Sequence, residues 1–288
     1  MHDYLMSLAL GVVEGVTEFL PVSSTAHLRI FEALAGVNLS DGYWKMFTIV
    51  IQLGAVACLP LYFRERIRGF VASFARSRDE GRGLVHPLTL TAVAFVVTAV
   101  PSLLLAKVIG KHLESLVVMG TSLVAGGVIM WVVDWLFARG RLGTNTPELE
   151  QMTLAQAVWI GFCQIFSAVF PGTSRSMATI AGGQVARMTR AAALEFSFFL
   201  SMPTMAAAVG YDLYKTLREG QGSALGGAAL DAHGWLVLAL GFVVSFVVAY
   251  GVVAWFMGWV RRRGFAPFAI WRILAGAAVL LFMVHRAA

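Results

Sequence analysis

The sequence predicts an all-α polytopic membrane protein, with six transmembrane helices and two re-entrant helix-loop-helix segments in an inverted-topology repeat. Three observations predict this fold class: the composition, the spacing of long apolar runs, and two interrupted apolar runs that share a motif. Of the 288 residues, 58% are hydrophobic and 13% are charged, and the mean hydropathy is +0.76. A soluble domain has about 45–50% apolar and about 25% charged residues. The composition therefore excludes a soluble globular protein and a disordered chain.

The net charge of +6 does not indicate a nucleic-acid partner. The basic residues occur in short clusters between apolar runs, which is typical of membrane topology rather than of a DNA-binding face. The segment 64–82 contains six arginines, namely Arg64, Arg66, Arg68, Arg76, Arg78 and Arg82. Because loops rich in Lys and Arg stay in the cytoplasm, we expect this segment to be a cytoplasmic loop.

Six apolar runs are long enough to cross a bilayer, which takes roughly 20 residues. They are 43–63, 85–107, 116–137, 190–213, 235–258 and 266–285. Two further apolar segments, 3–36 and 153–186, are each interrupted by a proline followed by hydroxyl residues. Proline ends a helix and Ser or Thr caps the next one, so each segment forms two half-helices that are too short to cross alone. Each segment is therefore predicted to be re-entrant.

The two interrupted segments align with each other at a constant offset. Residues 11–24 match residues 161–174 without gaps, and both stretches share Gly, Pro and Ser at corresponding positions. The same offset maps the first three spans onto the last three. The chain is thus predicted to be one integral membrane domain, 1–288, formed by the repeats 1–140 and 151–288. Because each repeat has three spans, the repeats are inverted, and such repeats place a polar site near mid-membrane.

Glu14 and Glu18 are the candidate metal ligands. They lie four residues apart and therefore share one face of the first half-helix. Ionisable groups at membrane depth are costly and indicate a functional site. Two adjacent carboxylates in a medium of low dielectric constant either share a proton or bind a cation. The structural alternative is a helix at the membrane interface with both acids in water.

Hydroxyl and imidazole groups follow the first interruption. Ser23, Ser24 and Thr25 come after Pro21, and His27 lies about one helical turn beyond Ser24. The free N–H groups and the positive dipole end of a helix N-terminus bind anions. His27 could relay a proton with Ser24 or with a substrate. Capping of the second half-helix by the hydroxyls is the simpler interpretation.

The second interruption carries a positive charge instead. It contains Ser174, Arg175 and Ser176, while Gln164 and Ala168 stand where the first segment has carboxylates. Arginine suits bidentate recognition of phosphate. A guanidinium between two hydroxyls at a helix N-terminus therefore predicts a phosphate site. A structural ion pair between this arginine and a glutamate of the first segment is the alternative.

Four other charged residues lie at or near the ends of predicted spans. They are Asp134, Glu195, Asp212 and Arg272. For these side chains we expect snorkelling or solvation at the membrane interface.

These motifs resemble those of undecaprenyl-diphosphate phosphatases, the bacitracin-resistance family. The first motif is Glu14-xxx-Glu18-Phe-Leu-Pro-Val-Ser-Ser-Thr-Ala-His27, and the second is Pro171-Gly-Thr-Ser-Arg-Ser176. The resemblance covers essentially the whole chain. It implies hydrolysis of undecaprenyl diphosphate to undecaprenyl phosphate and inorganic phosphate, which recycles the lipid carrier of cell-wall synthesis and confers resistance to bacitracin.

The resemblance also implies roles for individual residues. The catalytic residues would be Ser24, His27, Glu18 and Arg175. The phosphate-binding residues would be Thr25, Ser174, Arg175 and Ser176. A divalent cation, Mg²⁺ or Ca²⁺, would bind Glu14 and Glu18. Ser24, activated by His27, is the preferred nucleophile and would give a phosphoserine intermediate, and a water positioned by the carboxylates is the alternative.

The same resemblance implies a multi-pass protein of the bacterial inner (plasma) membrane, with a site that opens toward the periplasmic face. Its partners would be undecaprenyl diphosphate and membrane lipid, with no nucleic acid, and a homodimer is left open. A lipid-phosphate flippase or proton-coupled transporter is the competing class, because inverted repeats with broken helices are also transporter architecture. Phosphate release in detergent, where no gradient exists, distinguishes the two classes.

Overall fold

The computed structural model describes residues 2–36, 42–105, 115–219 and 231–287, and most of them are helical. In chain order the described α-helices are α1 (His2–Thr17), α2 (Ser24–Ala35), α3 (Gly42–Tyr62), α4 (Arg64–Asp79), α5 (Pro87–Leu104), α6 (Leu116–Ala138), α7 (Leu154–Val169), α8 (Arg175–Val185), α9 (Arg190–Glu219), α10 (Ala232–Arg262) and α11 (Ala266–Ala287). Within these ranges, β-pairing is limited to one isolated bridge between Thr146 and Met188. The predicted all-α class is confirmed.

Among the described helices, six are long and apolar enough to cross a membrane, as predicted. They cover Tyr43–Tyr62, Pro87–Leu104, Leu116–Ala138, Arg190–Lys215, Ala232–Arg262 and Ala266–His285. The largest difference is in the fifth span, where the helix extends beyond the predicted 235–258 at both ends. The end of the predicted run 85–107 lies outside the described residues.

Both predicted interruptions are present, one between α1 and α2 and the other between α7 and α8. These four helices have 16, 12, 16 and 11 residues, so each is shorter than the roughly 20 residues of a span. Ser23 and Ser174 directly precede α2 and α8, and both have positive φ, 74° and 68°. This backbone region costs a residue with a side chain about 1–3 kcal/mol and is found mostly where function requires it. The two loops therefore share an unusual conformation directly before their second half-helix, although the sequence alignment pairs Ser174 with Ser24.

The segment 64–82, predicted to be a loop, contains helix α4 instead. The segment is amphipathic despite its many arginines. Its apolar residues Ile67, Phe70 and Phe74 recur at helical spacing. Phe70 is buried, and most of the arginines around it are exposed. The apolar stripe is enough to hold the helix against the protein, so the segment that connects the first two spans is largely helical.

The described chain divides into two compact units, and each contains parts of both predicted repeats. The first unit consists of Met1–Phe19, Ser24–Tyr62 and Ser201–Ala254. The second consists of Leu20–Ser23, Phe63–Leu200 and Trp255–Ala288.

In the first unit, α1 packs closely on α10. A Cβ atom added to Gly11 would lie 3.0 Å from the carbonyl oxygen of Gly241, so a side chain here would require the two helices to shift slightly apart. The Ser7 hydroxyl donates a hydrogen bond to the carbonyl of Val237 at 2.8 Å. Small residues and hydroxyl-to-carbonyl bonds are how helices associate where lipid removes the hydrophobic driving force. This packing buries the face of α1 that carries Glu14.

In the second unit, α7 packs on α5 in a corresponding way. A Cβ atom added to Gly161 would lie 2.6 Å from the carbonyl oxygen of Ala94, and the Thr98 hydroxyl donates to the carbonyl of Gly161 at 2.8 Å. Gly161 is the counterpart of Gly11 in the alignment of the two interrupted segments. Extended to the spans, the same alignment makes Ala94 the counterpart of Val244, which is a further neighbour of Gly11. The offset found in the sequence therefore recurs in the helix packing.

Asp134, predicted to be solvated at a span end, is only 4% exposed. Its carboxylate accepts hydrogen bonds from Arg190 Nε at 2.7 Å, Gln184 Nε2 at 3.3 Å and the Phe265 N–H at 2.9 Å. These donors replace water, so the side chain has no need to reach the interface. Gln184 lies near the C-terminal end of α8, and the network therefore anchors the helix that begins at Arg175.

We expect the substitution Arg190→Gln to lower stability strongly, because Asp134 would keep a buried negative charge without its cation. Removing one partner of a buried ion pair costs about 3–5 kcal/mol. The melting temperature of the purified protein in detergent measures this loss. The double variant Arg190→Gln/Asp134→Asn, which removes both charges, should recover part of it. An unchanged melting temperature for Arg190→Gln would show that the pair contributes nothing.

Candidate active site

Of the two carboxylates of the first segment, Glu14 lies in the last turn of α1 and Glu18 directly follows that helix. Glu14 is completely buried, and Glu18 is 7% exposed. The Ser24 hydroxyl, also buried, donates a hydrogen bond to Glu18 Oε2 at 2.6 Å, which is short, as expected for a charged acceptor. Thr25 is exposed and His27 is half-buried. The alternative in which both acids lie in water does not agree with this burial.

A tight turn between the half-helices brings Ser24 back to Glu18. The N–H of Val22 donates to the carbonyl of Leu20 at 2.7 Å, and the next residue, Ser23, has a positive φ. The chain reverses over these few residues, so the first residue of α2 faces the end of α1. The turn at Ser23 therefore allows the hydroxyl of Ser24 to contact the carboxylate of Glu18.

The hydroxyls of the second segment cap α8. Ser174 Oγ accepts a hydrogen bond from the N–H of Met177 at 3.4 Å and lies 3.1 Å from Ser176 Oγ. Arg175, the first residue of the helix, is half-buried, and the residues that follow it, 176–184, are buried. The positive end of this helix dipole lies beside a guanidinium and two hydroxyls. Such a combination suits an anion.

The loops of the two segments contact each other within the second unit. The Ser176 hydroxyl donates to the carbonyl of Leu20 at 3.0 Å. Arg272 of α11 donates from Nη1 to the carbonyl of Pro21 at 3.1 Å and from Nη2 to the carbonyl of Gly172 at 3.0 Å. The two interrupted segments, far apart in the sequence, therefore meet at their loops.

The position of Arg272 contradicts the snorkelling predicted for it. Its side chain is completely buried, and its guanidinium binds a third carbonyl, that of Ser122, at 3.3 Å. Gly126 leaves room for the guanidinium, since a Cβ atom at that position would meet Nη2. The sequence did contain a signal for this burial, since Arg272 lies six residues inside an apolar helix. A charged residue within a membrane-spanning helix indicates a functional role by default.

An apolar groove with a volume of about 390 Å³ begins beside the second loop. Its walls come from α6, α7 and α8. The lining extends from Thr173, just before α8, to Val185 at the end of that helix. Among the side chains that line it are Ala125, Ile129, Trp159, Phe166, Phe170 and Met177. The groove could hold an elongated apolar group next to the hydroxyls and the guanidinium.

Residues 7–278 match the family described as bacitracin resistance protein BacA. The chain belongs to this family. It is 60% identical to an undecaprenyl-diphosphatase of Koribacter versatilis (strain Ellin345), over 99% of this chain and 100% of the relative. It is 42% identical to undecaprenyl-diphosphatase 2 of Paramagnetospirillum magneticum, over 97% and 99%. It is 39% identical to an undecaprenyl-diphosphatase of Thermus thermophilus, over 97% of each. The predicted resemblance to the bacitracin-resistance family is confirmed.

In this BacA-family chain, the predicted site residues form two separate pairs, and the members of each pair contact each other. Glu18 bonds to Ser24, and Ser174 lies beside Ser176. Thr25 faces a separate cavity of about 110 Å³, which it lines together with Leu28, Arg29, Thr48 and Gln52.

The fit of a divalent cation to this BacA-family protein rests on Glu14 and Glu18. The described residues contain no group of three or more His, Cys, Asp or Glu side chains that could hold a metal ion. Mg²⁺, however, usually binds through one or two carboxylates and takes its other ligands from water and from substrate phosphates. Two buried carboxylates one turn apart supply that donor set, and a cation lowers the cost of burying both charges.

Proposed function

We propose that this protein is a membrane phosphatase that hydrolyses undecaprenyl diphosphate to undecaprenyl phosphate and inorganic phosphate. The observation that carries the proposal is the 60% identity to an undecaprenyl-diphosphatase over the full length of both chains. Phosphoryl transfer requires mainly positioning and neutralisation of charge, which carboxylates, hydroxyls and a guanidinium supply. The reaction recycles the lipid carrier of cell-wall synthesis and confers resistance to bacitracin. The relatives named above are hydrolases, so the transporter alternative gains no support from them.

We also propose that α1–α2 and α7–α8 are re-entrant pairs of an inverted-topology repeat in the bacterial inner membrane, with the site open to the periplasm. The supporting observations are the short helices, the sequence offset that recurs in their packing, and the matching conformations of Ser23 and Ser174. Irregular backbone at membrane depth is tolerated only where protein or a watery cavity surrounds it. Both loops satisfy this condition, because their carbonyls accept hydrogen bonds from Arg272 and Ser176.

Arg175, Ser174 and Ser176 bind the terminal phosphate in this proposal. The planar guanidinium donates two parallel hydrogen bonds to phosphate oxygens, and the N-terminus of α8 adds its N–H groups and positive dipole. Glu14 and Glu18 would hold Mg²⁺ or Ca²⁺. When bound, the cation would neutralise negative charge on the diphosphate.

Ser24 is the proposed nucleophile. Because its hydroxyl donates to Glu18, the carboxylate is placed to accept the Ser24 proton as the oxygen attacks the terminal phosphorus. The bond from this phosphorus to the bridging oxygen breaks, and undecaprenyl phosphate leaves. A water molecule then hydrolyses the phosphoserine, with His27 as a proton relay, and releases inorganic phosphate. Direct attack by a water positioned by the carboxylates is the alternative.

Phosphate release from undecaprenyl diphosphate by the purified protein in detergent tests the proposed function. We expect release without any ion gradient, and we expect it to stop when EDTA removes divalent cations and to return when Mg²⁺ or Ca²⁺ is added. No release with any cation would contradict the phosphatase proposal. Undiminished release in EDTA would contradict the cation proposal alone.

The apolar groove beside Thr173 is proposed to hold part of the isoprenoid tail. Ala125 is an exposed residue of the lining, so the substitution Ala125→Phe should fill the groove without disturbing the core. We expect KM for undecaprenyl diphosphate to rise about tenfold, since lost apolar contacts of this size are worth about 1–3 kcal/mol. KM for farnesyl diphosphate, whose tail is much shorter, should change less.

The matched control for this prediction is Val128→Phe, on the same helix. Val128 is 45% exposed and is not among the residues that line the groove. This variant should leave KM unchanged for both substrates. Equal effects of Ala125→Phe on the long and the short substrate would contradict binding of the tail in the groove.

A further inference from the structure

Arg272 binds one carbonyl in each of the two loops. The carbonyls that its Nη1 and Nη2 bind belong to Pro21 and Gly172. Each of these residues lies two positions before a serine with positive φ, which is Ser23 in one loop and Ser174 in the other. Each therefore lies three positions before the first residue of the second half-helix. One side chain thus binds a carbonyl at the same distance from the second half-helix in each loop, although the sequence alignment pairs Gly172 with Val22.

Among the residues that the structure describes, the charge of Arg272 has no carboxylate partner. None of the ion pairs among the described residues includes it, and its Nε has no hydrogen-bond partner there. A completely buried charge that binds only carbonyls is costly to the folded state. Arg190, also on an apolar helix, shows the usual solution, since it pairs with Asp134. A purely structural role therefore explains Arg272 poorly.

The planar fork of arginine is what allows both contacts. Two different nitrogen atoms, Nη1 and Nη2, donate to the two loops, and Nη2 also donates to the carbonyl of Ser122. A lysine has one ammonium at the end of a flexible chain, so it cannot reproduce this geometry. The arrangement fixes the separation of the two loops in a way that a charge alone would not.

We propose that Arg272 is a positioning residue of the phosphatase reaction, an inference that rests on the proposed function. Within the second unit, it holds the loop at Pro21 against the loop at Gly172, and so fixes the backbone that leads into the phosphate-binding Arg175. Its positive charge also lowers the cost of bringing an anionic diphosphate to the loops. A displacement of about 1 Å in such an arrangement can lower a rate about 100-fold.

The test compares Arg272→Lys with the wild-type protein in steady-state assays of phosphate release from undecaprenyl diphosphate. We expect kcat to fall about 100-fold while KM stays within about threefold, because the charge remains but the alignment is lost. The second variant is Gly126→Ala, which keeps Arg272 and places a Cβ atom against its Nη2. Gly126→Ala should also lower kcat, but by a smaller factor than Arg272→Lys.

The control is Arg66→Lys, which makes the same exchange at a guanidinium that bonds to Glu150 and Glu195, neither of which belongs to the proposed site. It should keep the wild-type kcat. Wild-type kcat in Arg272→Lys would overturn the proposal, as would an equal loss of kcat in Arg66→Lys at the same folded fraction. If Arg272→Lys does not fold, wild-type kcat in Gly126→Ala overturns it. A wild-type protein that releases no phosphate would instead refute the proposed function.

Discussion

The substitution Arg175→Ala should lower kcat/KM for phosphate release from undecaprenyl diphosphate by a factor of about 10³ or more. The guanidinium at the start of α8 is the group proposed to bind the terminal phosphate and to stabilise the charge that develops on its oxygens. Removing one such donor from a preorganised site costs about 10²–10³ in rate, and arginines that act on a transferred phosphoryl group contribute about 10³–10⁵. Steady-state assays of the purified variant measure the effect.

The substitution Arg175→Lys provides the matched variant, because it retains the positive charge but not the planar guanidinium with its two parallel donors. It should be intermediate between the alanine variant and the wild type, mainly through a lower kcat. The melting temperatures of both variants should stay near that of the wild type, since Ser174 still caps α8 through the N–H of Met177. If Arg175→Ala remained within tenfold of the wild type, the proposed phosphate site would be wrong.

The sequence predicted the elements whose signal is local. Apolar runs of about 20 residues give the spans, and Pro21 and Pro171 mark the two breaks, because a proline in a helical pattern ends the helix wherever it occurs. Local signals of this kind did not predict the contact between Glu18 and Ser24. Spacing placed His27 one turn from Ser24, whereas the contact with the carboxylate depends on the positive φ of Ser23, which spacing does not reveal.

The errors for Asp134 and Arg272 have a common physical cause. Each prediction considered only the position of the residue on its own helix, where a nearby span end allows snorkelling. The partners that bury these groups come from distant parts of the chain. Arg190 is 56 residues from Asp134, and Pro21 is 251 residues from Arg272. No local pattern encodes such a pairing, so a charge inside an apolar run is better treated as a site whose partner is still unknown.

The substitution Ser24→Ala should lower kcat by about 10⁴–10⁶ if the hydroxyl is the nucleophile. Glu18→Gln should also lower kcat strongly, because the amide cannot accept the Ser24 proton. The two groups share a hydrogen bond of 2.6 Å and are proposed to act as one unit. The double variant should therefore lose less activity than the product of the two single losses. A buried hydroxyl elsewhere gives the control: Ser245→Ala removes a bond to the carbonyl of Ile51 and should leave kcat unchanged.

Rapid quenching with substrate labelled in the terminal phosphate distinguishes the two possible nucleophiles. A phosphoserine intermediate should place the label on Ser24 in the wild type, and Glu18→Gln should slow its appearance because proton transfer to the carboxylate accompanies attack. Label on the wild-type protein but none on Ser24→Ala would identify the residue. Full turnover by Ser24→Ala would rule out the covalent route and leave a water molecule as the nucleophile. The hydrogen bond between Ser24 and Glu18 would then serve to hold the carboxylate in place rather than to activate the hydroxyl.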